Sequence, residues 1–126
     1  MNLSEKLVKG SRVLNQQRNE ILDVLKILCG LLSARARQYA VYEFLCPDRN
    51  YWNIAQDVEA KKTTIIISFM NRDEETLLQT PNANNVTKDC SMRDIAVIHK
   101  NLDVLIDGLN ERYPEMLRPL FEAVTE

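Results

Sequence analysis

The residues best suited to covalent or general-base chemistry are few: three cysteines, Cys29, Cys46 and Cys90, and a single histidine, His99. Cys90 is the best placed of the thiols. It stands just before a helix start at Ser91, where the helix dipole favours a thiolate. His99 is the sole imidazole that could activate it, but it lies more than two turns along the same helix, at the edge of an apolar stripe. That position reads as a partly buried structural histidine. Cys29 falls in an apolar run as a small core residue, and Cys46 stands beside the turn at Pro47-Asp48. An odd number of unpaired thiols fits a reducing compartment better than a disulfide framework.

Other chemistries lack their residues. One histidine and three distant cysteines do not form the close ligand pairs of common zinc sites. Asp73, Glu74 and Glu75 are adjacent, so they cannot all turn toward one ion and read as a solvated turn. Gly10, Gly30 and Gly108 stand singly inside helical patterns, and none builds a phosphate-binding loop. No strand–turn–helix serine motif is present. The pattern therefore calls for no metal and no cofactor, and it weighs against an enzyme.

Two binding constellations stand beside that reading. Tyr51, Trp52 and His99 could line a small-molecule pocket between a sheet and the C-terminal helices, built from dispersed groups. Arg35, Arg37, Arg49, Lys61 and Lys62 share a region with Tyr39, Tyr42, Tyr51 and Trp52, as a nucleic-acid surface would. Glu43, Asp48, Asp57 and Glu59 interleave with them, which disfavours nucleic acid.

The elements that must position these groups begin with a long helix. Ser4 is a candidate cap. Leu3, Leu7, Leu14, Ile21, Leu25, Leu28 and Leu32 then share one narrow sector at 100° per residue. Before Ile21 the stripe is nearly alone among polar residues, so this half should lie on a surface or reach a partner. After it, Leu22, Val24, Ile27, Cys29 and Leu31 widen the apolar face, so the second half should be buried. Residues 38–46 suit either a helix or a strand. Residues 63–70 (TTIIISFM) are the clearest strand, because β-branched isoleucines disfavour helix. Trp52, Ile54 and Val58 mark a strand before it, with a turn at Ala60-Lys61-Lys62. A third strand is required, from residues 38–46 or 75–79, since a lone hairpin is marginal in water. Residues 80–90 read as a polar loop. Ser91 caps a helix whose stripe is Ile95, Ile98, Leu102, Leu105, Ile106 and Leu109, with Val97 and Val104 as a small second contact. Pro114 opens a last helix.

Composition sets the outer bounds. The 126 residues suit one domain spanning 1–126, with 45% hydrophobic and 27% charged residues. Net charge is −2, but residues 1–62 carry +3 and residues 63–126 carry −5. The chain starts on an amphipathic pattern rather than a secretory signal. Its most apolar run, Val24 to Leu32, contains Lys26 and is too short to span a membrane. A cytoplasmic location with no membrane partner is expected.

The fold expected is α+β: a long N-terminal helix, a small antiparallel meander of about three strands, and two C-terminal helices packed on one sheet face. The function favoured is a non-enzymatic protein–protein interaction domain, a small adaptor, chaperone-like or regulatory protein. It would dimerise, or bind another protein, through Leu7, Leu14, Arg18 and Ile21 of the first helix, because a heptad-like stripe is what helix pairing uses. Leu14→Glu is expected to break assembly and leave the fold largely intact. The small-molecule pocket is the alternative, and weak nucleic-acid binding ranks third.

Overall fold

The computed structural model describes residues 2–34, 42–59, 62–80 and 90–124. Helix α1 runs from Leu3 to Ser33. At 1.5 Å per residue it is about 46 Å long. Its cap is Asn2 rather than Ser4: the Asn2 side-chain oxygen accepts a 2.8 Å hydrogen bond from the Glu5 amide. Its fully buried residues all lie in the second half, Ile21, Leu25, Leu28 and Leu32, whose 4-3-4 spacing keeps them on one face.

Four antiparallel strands follow, β1 (Tyr42–Leu45), β2 (Tyr51–Glu59), β3 (Lys62–Met70) and β4 (Thr76–Gln79), in the order β1-β2-β3-β4. Both candidate third strands are therefore used, and the meander has four strands. Residues 35–41, 60–61 and 81–89, on which other expectations fell, Arg35, Arg37, Tyr39 and Lys61 of the suggested nucleic-acid surface among them, lie outside the described residues. Lys62 is not a turn residue but pairs with Glu59.

With few glycines, the turns rest on Asn, Asp and left-handed backbone. Asp48 and Arg49 adopt φ 61° and 62° between β1 and β2, and the Cys46 amide donates to the Asn50 carbonyl at 2.8 Å. Between β3 and β4, the Asn71 side-chain oxygen accepts from the Asp73 and Glu75 amides at 3.0 and 2.9 Å. Asp73, Glu74 and Glu75 are all exposed there.

Register explains the core. Phe44, Trp52, Phe69 and Leu78 face one another in a single cross-strand row, and all four are buried. Ile54 and Ile67 form the next row with the half-buried Tyr42. Side chains alternate along a strand, so Leu45, Tyr51, Asn53, Ala55 and Ile66 occupy the opposite face, and none of them is fully buried.

Among the described residues the C-terminal helices are three rather than two: α2 (Met92–Lys100), α3 (Leu102–Arg112) and α4 (Pro114–Ala123). Ser91 caps α2 as expected, in a reciprocal box with Asp94. The stripe expected to run through one helix is broken at Asn101, with φ −96° and ψ 6°. Its carbonyl accepts a 2.7 Å hydrogen bond from the indole N–H of the fully buried Trp52. A buried indole requires such a partner, and the helix turns a corner to supply it. Ile95, Ile98, Leu102, Leu105, Leu109, Met116 and Leu117 close over the sheet together with α1. Where α3 crosses β1, Gly108 lies against Phe44; a Cβ there would stand 2.5 Å from a ring carbon.

Candidate functional site

The first half of α1 leaves the core. Leu3 and Leu7 are 83% and 75% exposed, and Val8 and Val13 are about half exposed. Nothing in the propensity of this segment compels it to extend so far. It contains Gly10, which costs a helix about 1 kcal/mol relative to Ala, and it buries little of its own. Its continuation into the packed half, from Ile21 to Leu32, carries it outward as one unbroken helix.

On this helix a shallow groove of about 420 Å³ runs between the stripe and the start of α2. Leu7, Gly10 and Leu14 form its floor, Met92 of α2 closes one side, and Lys6 and Arg18 stand at its ends. Met92 is 66% exposed. The Arg18 guanidinium donates to the Asn15 side-chain oxygen at 3.0 Å, while its Nε finds no acceptor among the described residues.

The four residues assigned to partner binding divide. Leu7 is free, and Arg18 sits at the groove's end. Leu14 is half-buried and packs against the core, so it serves both fold and surface. Ile21 is a correction: it is 0% exposed, and a partner cannot reach it. The stripe passes from surface to core between Leu14 and Ile21.

The structure does not bring Tyr51, Trp52 and His99 into one pocket. Trp52 is 0% exposed and stacks edge-on against Phe69, with ring centroids 4.8 Å apart. Tyr51 is adjacent in β2 and therefore faces the other side of the sheet. His99 reaches across to α1, where its Nε2 meets the Glu20 carboxylate. Hydrogen bonding from His99, and then from Gln16, holds the Glu20 carboxyl below its ordinary value. This pair ties α2 to α1 just where the exposed and buried halves of α1 meet. Sequence alone held no signal for it, since 79 residues separate the partners.

The thiols are placed for packing. Cys90 donates to the Leu77 carbonyl at 3.1 Å, so it and His99 have different partners. Burial pushes the Cys46 thiol up to about 11 and raises that of Cys29. Among the described residues no three His, Cys, Asp or Glu side chains gather as a metal site, and no helix is long and apolar enough to cross a membrane. Of the suggested base-stacking rings, Trp52 is core and Tyr42 bonds the Tyr113 hydroxyl at 3.0 Å. Val97 and Val104 are half-buried against the core rather than a free contact.

A second cleft, of about 490 Å³, opens elsewhere, between the β1–β2 and β3–β4 turns and the start of α2. Asp48, Asp73 and Asp94 line it together with Arg72 and Arg93. It is a polar depression, distinct from the expected pocket beneath the C-terminal helices.

Comparison with known proteins adds no relative: no family model, no curated protein and no solved structure matches this chain.

Proposed function

We propose that this protein is a non-enzymatic interaction domain that pairs with a helix of another chain, or of a second copy, through the exposed stripe of α1. The observation that carries this reading is the departure of α1 from its own core. Leu3 and Leu7, large apolar side chains on one face, stand in water on a helix continuous with the core. Fully burying a leucine contributes about 2 kcal/mol, or about 30-fold in affinity. Two such residues, with Leu14 and Met92 beside them, suit a contact of moderate affinity. A β-sheet platform that fixes one end of the helix would set the geometry of the pairing.

A native mass spectrum of the protein purified gently from its own cells tests the proposal, with Leu7→Glu alongside the wild type. Leu7 is a cleaner probe than Leu14, whose substitution would also disturb the core. The expected wild-type spectrum carries a second protein chain at fixed stoichiometry. In Leu7→Glu that chain is lost while the Trp52 emission and the melting temperature stay as in wild type. A bare monomer for both proteins contradicts the proposal.

A further inference from the structure

We infer that the occupant of the α1 groove is an acid-flanked amphipathic helix of a different protein, rather than a second copy of this chain. The inference rests on the pairing role proposed above and adds the chemistry of the partner.

The charge around the stripe is one-sided. Residues 2–19 hold Lys6, Lys9, Arg12 and Arg18 against Glu5 alone, a net charge of +3. Position on the helix sharpens this. With Leu7 and Leu14 at the a positions of a heptad, the flanking e and g positions over residues 3–20 are Ser4, Lys6, Ser11, Val13, Arg18 and Glu20. These are the positions that choose a partner by charge. Glu5 falls on the far side of the helix, and Glu20 is already engaged by His99. The charges left for a partner are Lys6 and Arg18, both cationic, at the two ends of a groove whose lining has no carboxylate. Their separation of twelve positions spans about 18 Å of helix, the length of about two heptads.

Parallel self-pairing does not use these charges. In a parallel pair each g position meets the e position five residues on in the partner helix. Lys6 then faces Ser11, and Val13 faces Arg18, so no ion pair forms and two helices of like charge approach each other. A helix with leucine-type anchors and Glu or Asp on its flanks satisfies both ends of the groove.

The test uses the intact protein and two designed three-heptad helices. Both have Leu at a and d; one has Glu, the other Lys, at every e and g. Like charges keep each peptide from pairing with itself. Fluorescence anisotropy should show the Glu-flanked helix binding at least about ten-fold more tightly than the Lys-flanked one at low salt, an advantage that shrinks as salt is added. Lys6→Glu with Arg18→Glu should invert the preference. These exposed or half-exposed positions bear little on the core, and unchanged circular dichroism checks the fold. Equal affinity for both peptides, or a preference that survives charge reversal, overturns the inference while leaving α1 a pairing surface. Failure of the Glu-flanked helix to bind, together with a Leu7-dependent homodimer, makes the second copy the occupant and also overturns it. No binding of either peptide and no Leu7-dependent complex sinks the inference and the proposed function together.

Discussion

Three glycines lie inside helices, and the structure assigns them opposite roles. Gly30 is exposed on α1, with no atom within 4 Å of a built Cβ, and the same holds for Gly10. Gly108 on α3 faces Phe44, whose ring carbons would lie 2.5, 2.6 and 3.0 Å from a Cβ. Ordinary carbon–carbon contact is about 3.5–4.0 Å, so an alanine methyl at Gly108 intrudes by about 1 Å. Phe44 cannot swing aside, because it is itself buried in the row with Trp52. Glycine to alanine gains about 1 kcal/mol of helix propensity at each site. At Gly108, overpacking costs about 1–3 kcal/mol in return. Gly30→Ala should therefore stabilise by up to about 1 kcal/mol, and Gly108→Ala should destabilise by about 1 kcal/mol. In a chain of this size that is a fall in melting temperature of roughly 4 °C. Urea titration followed by circular dichroism, at one fixed protein concentration, measures both. The Gly108→Ala, Phe44→Leu double variant should show coupling of about 1 kcal/mol, because the smaller side chain makes room for the methyl. A Gly108→Ala protein as stable as Gly30→Ala would refute the close approach of α3 to β1.

Further outcomes follow from the same packing. Trp52→Phe removes the donor to the Asn101 carbonyl and leaves a cavity beside Phe69; a loss of about 2–4 kcal/mol in urea titrations is expected. Glu20→Gln probes the α1–α2 tie. Because the folded carboxyl titrates below its ordinary 4.5, its contribution is present above that pH and fades as pH falls through the folded value. Wild type and variant should thus melt apart at pH 6 and converge only as pH falls well below 4.5. At pH 8 a thiol held at about 11 is about one part in a thousand thiolate. Cys46 should accordingly resist a thiol-selective disulfide reagent in native protein and react promptly in denaturant; rapid native labelling mapped to Cys46 would contradict its burial. Arg112, whose guanidinium lies 4.2 Å above the Tyr42 ring, should contribute about 0.5–1 kcal/mol to stability, read from Arg112→Ala.

The sequence made local elements legible and long-range ones illegible, for physical reasons. The two regimes of α1 followed from the widening of its apolar face after Ile21, and β3 followed from three consecutive isoleucines. The Ser91 cap and the Pro114 start are short-range chemistry that any reader of the chain can see. The fourth strand was harder, since four residues are too few to establish a period. The break at Asn101 was invisible because its cause, the buried Trp52 indole, is 49 residues away in the chain. Ile21 continued the stripe without a break in pattern, so sequence alone could not mark where surface becomes core. The pocket of Tyr51, Trp52 and His99 fails on a rule that strand alternation already contains: neighbours in a strand face opposite ways. The groove end formed by Met92 was not legible, since it arises only where α2 docks on α1.

The account's central claim is that the exposed half of α1 is a contact surface kept outside the core. Hydrogen exchange along α1 tests it most directly, compared between the isolated chain and the complex purified from its own cells. In the isolated chain the amides of residues 7–13 should exchange fast, as in a helix with little tertiary support, while those of residues 25–32 should be slow. In the complex the first group should become strongly protected and the second should stay as it was. Equal protection of residues 7–13 in both states would contradict the claim, because the stripe would then bear no partner.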